Sequence, residues 1–288
     1  MKCIFCGQDS SGYKSIEHII PESFGNKTAF LRKGIVCDKC NNYFARKVEQ
    51  PFLESETIRV LRQELELENK RGKIIKDYAY PRVEQEYVKQ VGENTYLIYT
   101  KETKKESDLA ADVAEYKKYC ENTDKQLLEE NIFLSRLLAK MAVEYFVYRC
   151  GCSDDVCEYV VSDEIFKSIR EYARYGNRKI WKYNARRIYS RHEAYNGDPF
   201  TAVNWEADFL FLENGEVYFI IVMFGIEYAI NMGGSYNDGF KYWLDNNDYR
   251  SPLYLTPQEK QKLLEGYYRK ISETTEKILI YDFQHLIH

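Results

Sequence analysis

The sequence predicts an α+β fold: a small cysteine-rich N-terminal module followed by a larger α+β body with an antiparallel sheet. Three observations predict it. Two Cys-x-x-Cys pairs, Cys3 with Cys6 and Cys37 with Cys40, fall close together at the start of the chain. The middle of the chain carries apolar residues at helical spacing. From Trp205 onward the pattern becomes that of strands, with Asn214–Gly215 joining two apolar runs as a hairpin signal.

Taken in order, residues 1 to about 50 are turn-rich and close on a short helical stretch from Asn41 to Glu49. Pro51 follows directly and marks a boundary, which divides the chain into a module, residues 1–52, and a body, residues 53–288. Residues 55–70 predict an exposed helix that buries little beyond Ile58, Leu61 and Leu65. Strand-like runs follow at Tyr78–Ala79–Tyr80 and over 95–100, the second preceded by a turn at Gly92–Glu93–Asn94. The charged stretch 101–118 begins another helix. Residues 129–150 give the clearest core helix, with Ile132, Leu134, Leu137, Leu138, Met141, Tyr145 and Tyr148 at mixed three- and four-residue spacing. Asp163 caps a further helix that Gly176 closes. Residues 205–212 and 216–224 form the hairpin, residues 226–232 a third strand, and the alternating Phe209, Phe211, Tyr218, Phe219 and Phe224 suit a sheet core. Pro257 and Gln258 open a last helix, and an apolar segment, 278–283, ends the chain.

Composition narrows the class. With 44% hydrophobic and 30% charged residues over 288 positions, the chain is globular rather than disordered. The net charge of −4 excludes a uniformly basic nucleic-acid coat. Residues 1–50 hold eight Lys/Arg against five Asp/Glu, a balance of +3 that leaves −7 for the rest, so a mildly basic module sits on an acidic body. The 26 tyrosines fit either β-rich or surface-binding regions. The longest apolar stretch, 218–226, is too short to cross a bilayer. With the first cysteine at residue 3 and no room for a signal peptide before it, a cytoplasmic chain is expected, whose cysteines are thiols or metal ligands rather than disulfides.

Each Cys-x-x-Cys pair places two thiolates on one tight knuckle, and two knuckles supply the four sulfurs of a closed tetrahedral Zn²⁺ site. Gly7 suits the sharp turn of the first. A closed four-thiolate site staples rather than reacts. Within the gap lies Ile16–Glu17–His18–Ile19–Ile20–Pro21. The whole run, Cys-x-x-Cys, Glu-His-Ile-Ile-Pro-x-x-x-Gly, Cys-x-x-Cys-Asn-Asn, resembles the HNH endonuclease superfamily in its four-cysteine form. The resemblance covers residues 3 to about 50 and is silent on residues 51–288.

It implies a ββα-metal motif: a strand bearing the histidine, a hairpin or loop, and a helix bearing the last metal ligand. By resemblance His18 is the general base, and a histidine, with an ordinary pKa of about 6.5, accepts a proton near neutrality. Glu17 and Asn41 would be the oxygen ligands of a catalytic divalent metal, with Asn42 sharing the work of Asn41. A carboxylate and an amide oxygen suit Mg²⁺ or Mn²⁺ better than zinc. On a regular strand, however, Glu17 would point to the face opposite His18. The middle asparagine of the motif has no clear counterpart in residues 31–36, and Asn26 is the nearest candidate. Glu49 is expected to be a solvated helix residue, with support of the metal ligands from behind as the alternative.

Lys14, Lys27, Arg32, Lys33, Arg46 and Lys47 surround the site as candidate phosphate contacts. Cys120, Cys150, Cys152 and Cys157 lack knuckle spacing and are expected to be buried or idle thiols, and His192, His285 and His288 have no partner pattern. The resemblance implies a metal-dependent endonuclease acting on nucleic acid, double-stranded DNA in first place, of the kind found in prokaryotic or phage defence and restriction systems. One module cuts one strand, so a double-strand break takes two cuts or a homodimer. A competing reading is a non-catalytic zinc module that binds nucleic acid or protein. Residues 53–288 would select, position or restrain, through a regulatory ligand or partner protein.

Overall fold

Residues 134–147 have no polar face to offer solvent, which places them at the centre of the molecule. In the computed structural model, which describes residues 1–65, 67, 68, 72, 73, 87–100, 105–176, 179–191, 193 and 205–274, every side chain of that segment is buried. In chain order the elements are β1 (Glu17–His18), β2 (Phe30–Leu31), α1 (Asp38–Phe44), a π-helical turn (Ala45–Glu49), α2 (Gln50–Leu53), α3 (Glu56–Glu64), β3 (Tyr87–Gly92), β4 (Thr95–Tyr99) and α4 (Glu106–Leu128). There follow the central α5 (Ile132–Arg149), α6 (Asp154–Ser162), α7 (Glu164–Tyr175), β5 (Tyr183–Arg187), β6 (Glu206–Phe211), β7 (Val217–Met223), β8 (Ile226–Asn231), α8 (Asp238–Asp245) and α9 (Pro257–Thr274).

The body sheet is antiparallel, in the order β5-β8-β7-β6. Phe209, Phe219, Tyr228 and Ile230 share the face turned to α5, where Tyr145 meets Phe209 and Phe219 at ring distances of 5.6 and 5.4 Å. Leu210, Tyr218, Ile220 and Ala229 line the other face beneath Phe240, Trp243 and Leu244 of α8. Burial on both faces explains why β6 and β7 read as near-continuous apolar runs. The β7–β8 turn consists of Phe224 and Gly225, both in the left-handed region at φ 56° and 76°, as a two-residue type I′ turn demands. Phe224 accepts that conformation while packing edge-on against Phe24 of the N-terminal region, ring centroids 5.2 Å apart.

Caps fall where the sequence placed them. Asp163 Oδ1 accepts from the Ile165 N–H at 2.8 Å, and Gly176 ends α7 at φ 73°. The core helix starts later than expected, behind Asn131, whose Oδ1 accepts from Phe133 and Leu134. The helix after Ser55 stops at Glu64 and is less exposed than expected: beside Ile58 and Leu61 it also buries Val60, Arg62 and Gln63. Pro51 sits in the first turn of α2, and the core runs past it, since residues from Cys3 to Phe52 share one apolar cluster with α5, α7 and the body sheet. The sequence reading also lacked α6, β5 and α8. Tyr78–Ala79–Tyr80, residues 278–283, His192, His285 and His288 lie outside the described residues.

Candidate metal centre and active site

The first knuckle is closed by the Gly7 N–H donating to the Cys3 carbonyl at 2.8 Å, with Gly7 at φ 67°. The second is the start of α1, where Cys37 is the N-cap and its Sγ accepts from the Cys40 N–H at 3.4 Å. All four Sγ atoms lie within 4.8 Å of one another, and Cys6 and Cys37 are 3.7 Å apart. Zinc–sulfur bonds of about 2.3 Å in a tetrahedron put the sulfurs about 3.8 Å apart, so the cluster fits zinc.

Cys3, Cys37 and Cys40 are buried and Cys6 half-buried, and a zinc with four thiolates carries excess negative charge. The Cys37 N–H donates to Cys3 Sγ at 3.4 Å, and the Arg174 Nε–H to Cys40 Sγ at 3.3 Å. A hydrogen bond from Cys40 holds the Cys3 thiol down to about 5 against its burial, while burial pushes Cys37 up to about 11. One turn before Arg174 on α7, Arg170 donates to the Ile4 carbonyl at 3.3 Å. The two arginines were not anticipated. Their signal is a pair at i,i+4 on the buried side of an amphipathic helix.

β1 pairs with β2 antiparallel, Glu17 opposite Leu31 and His18 opposite Phe30. The His18 side chain keeps 30% exposure, stands edge-on to the Phe30 ring, and has Nδ1 3.9 Å from Glu22 Oε2. Glu17 faces the interior instead, as strand alternation requires. The loop between the strands is braced by Asn26, itself buried. Its Nδ2 donates to the carbonyls of Ile20 and Ala29, both at 2.8 Å, and its Oδ1 accepts from the N–H groups of Thr28 and Ala29. Asn26 therefore ties both ends of this loop together. Asn41, in the first turns of α1, donates its Nδ2 to the Ile16 carbonyl at 3.2 Å, which ties the helix to β1 and leaves Oδ1 as the acceptor end of the amide. Asn42 is exposed.

Strand, braced loop, strand and helix, with the histidine outward on the first strand and a cysteine knuckle leading the helix, form a ββα unit. Residues 3–56 match the HNH endonuclease family. No curated protein and no solved structure matches the chain. The HNH segment is thus stapled by a four-cysteine cluster suited to structural zinc.

The HNH segment does not stand alone around Glu17. Lys140, fully buried in the middle of α5, has its Nζ 2.7 Å from Glu17 Oε1, 3.0 Å from Glu144 Oε2 and 3.2 Å from Glu49 Oε1. It also donates to the His18 carbonyl at 3.1 Å. Burial opposes the charge on Lys140, but Glu144, Glu17 and Glu49 outweigh it and lift its pKa well above the ordinary lysine value. Burial likewise pushes Glu144 well above the usual carboxyl range. Glu49 is thus a member of a buried ion cluster and not the solvated residue expected. The π turn puts it there. At 3.6 residues per turn, Phe44 and Phe52 would diverge by about 80°, whereas the wider turn keeps Phe44, Val48 and Phe52 all buried and Glu49 beside Lys140.

Of the candidate phosphate contacts, Lys14, Lys27, Lys33, Arg46 and Lys47 are exposed. Arg32 is committed elsewhere: its Nε–H donates to the Cys152 carbonyl at 2.7 Å and its guanidinium pairs with Asp154. Among the described residues, the four knuckle cysteines are the one group of three or more His, Cys, Asp or Glu placed to hold an ion. Burial pushes Cys150 up to about 12 and Cys157 up to about 11, so these thiols stay protonated. No described helix is long and apolar enough to cross a membrane.

Proposed function

We propose that the chain is a metal-dependent endonuclease that hydrolyses phosphodiester bonds in nucleic acid, double-stranded DNA in first place. The observation that carries the reading is the placement of His18, outward and part-exposed on β1, beside a loop braced by Asn26 and a helix tied to the same strand by Asn41. His18 takes the proton of the attacking water as general base. Glu22, 3.9 Å from Nδ1, offsets the positive charge that the ring then carries. Glu17 and Asn41 would hold Mg²⁺ or Mn²⁺: their carboxylate and amide oxygens fit a hard cation, and Asn41 is bonded to the residue that precedes Glu17. When bound, the ion supplies Lewis-acid stabilisation of the scissile phosphate and the leaving oxygen. Lys27, Lys33, Arg46 and Lys47 supply phosphate contacts, and cutting both strands takes two successive events or two protomers.

The ion pair of Glu17 with Lys140 favours a second reading, a zinc module that binds nucleic acid without cutting it. Plasmid cleavage with added Mg²⁺ or Mn²⁺ decides between them, comparing the protein with His18→Ala after both are shown to hold zinc. Nicking or linearisation that is lost in the variant supports the nuclease. Binding without cleavage, unchanged by chelation of the weakly held ion, supports the second reading. Equal cleavage by both proteins would remove His18 from the reaction.

A further inference from the structure

Lys140, which meets Glu17, comes from outside the HNH segment, from the middle of a helix where its immediate neighbours, Leu138, Ala139, Met141 and Ala142, are apolar. A lysine with no exposed surface does not swing aside as a surface lysine does. Its ammonium touches Glu17 and the main chain of His18 at once, while Glu49 and Glu144 hold it from behind. Phe44, fully buried, stands with its ring centre 5.9 Å from Nζ and closes that side of the cluster. Oε1 of the carboxylate that the nuclease reading assigns to a divalent ion therefore already faces a fixed positive charge.

We propose that Lys140 is a positioning residue of the HNH site: it sets the orientation of Glu17 and its charge toward a divalent cation, and so weakens that cation's binding while holding β1 in place. The inference rests on the nuclease reading for the identity of the ligand. Two cations drawing on one carboxylate repel each other across a poorly solvated space. Removing the ammonium without disordering β1 therefore strengthens divalent binding at Glu17. Loss of a purely structural contact would do the opposite.

The test measures Mn²⁺ affinity by electron paramagnetic resonance on the full-length, zinc-loaded protein, for wild type, Lys140→Met and Lys140→Gln. Lys140→Gln also removes the ammonium but keeps a side-chain N–H donor for Glu17 and the His18 carbonyl, and so keeps the question open to measurement if Lys140→Met does not fold. The expected result is Mn²⁺ binding at least about tenfold tighter in the folded variant, as loss of a unit charge beside the ligand predicts, with the gain abolished when Glu17→Gln is added. Unchanged or weaker Mn²⁺ binding overturns the inference, as does a gain that survives Glu17→Gln. Plasmid cleavage by the same proteins separates the two readings. Cleavage by wild type without any Mn²⁺ gain in the variant leaves the nuclease standing and removes this role of Lys140. A Glu17-dependent gain with no cleavage by any of the proteins keeps the role and removes the nuclease.

Discussion

Asn26 uses both ends of its amide on the loop between β1 and β2, and no other residue type of its size offers two donors beside an acceptor with two lone pairs. Asn26→Asp keeps the acceptor and loses both donors, leaving the Ile20 carbonyl buried and unmatched and the Ala29 carbonyl with the Ile19 N–H alone. An unmatched buried group costs about 1–3 kcal/mol, so Asn26→Asp and Asn26→Ala should each destabilise by about that much in urea unfolding. A loss below about 0.5 kcal/mol, the range of ordinary surface changes, would show the loop to be held by other contacts. The four cysteines were legible because they form two runs with fixed spacing, and His18, Glu17 and Asn41 stand out as candidates for the same reason. Asn26 was visible only as the nearest asparagine, since a brace is defined by the carbonyls it reaches and not by its neighbours in the chain. Lys140 and Glu144 were passed over for a related reason. The apolar periodicity of α5 marks what faces a core, and a charged pair within such a run carries no spacing that names its distant partners.

At the scale of elements, α7 serves the zinc cluster although it lies far along the chain. Arg174 gives Cys40 Sγ a hydrogen bond and a positive charge, and Arg170 holds the first knuckle by the Ile4 carbonyl. Groups that support metal ligands typically contribute about 10- to 100-fold in metal affinity, so Arg174→Met should weaken zinc binding by that factor in competition with a chromophoric chelator. Arg174→Lys should retain part of it, and an unchanged affinity in Arg174→Met would reduce the arginine to a packing role. The elements that the sequence disclosed have strong local signatures: the Asp163 and Gly176 caps of α7, the Asn214–Gly215 hairpin, and the apolar girth of α5. The ones it withheld are short or polar. β5, with the sequence Tyr-Asn-Ala-Arg-Arg, is a strand because β8 offers it an edge and because Glu227 and Asp124 await its two arginines. The wider turn at Ala45–Glu49 has no sequence signature at all, only the four-residue spacing of Phe44, Val48 and Phe52.

At the scale of the whole molecule, the HNH segment and the body fold as one packed unit. Phe24 meets Phe224, Phe44 and Phe52 lie in the common core, and Arg32 straps the segment to the start of α6. Residues 1–56 expressed alone should take up zinc through the four thiolates yet unfold without a cooperative transition, because the partners of those aromatic rings are missing. A sharp denaturation midpoint for the isolated segment would contradict this. The buried lysine of α5 carries one more consequence, for how such a segment can be moved between proteins. An HNH segment from elsewhere, grafted in place of residues 1–56 and bearing its own acidic residue before the histidine, would meet an ammonium it had not evolved beside. Placed in a foreign host, this segment would lack the countercharge for Glu17 and Glu49. The graft that works in either direction is the one that carries position 140 along with it.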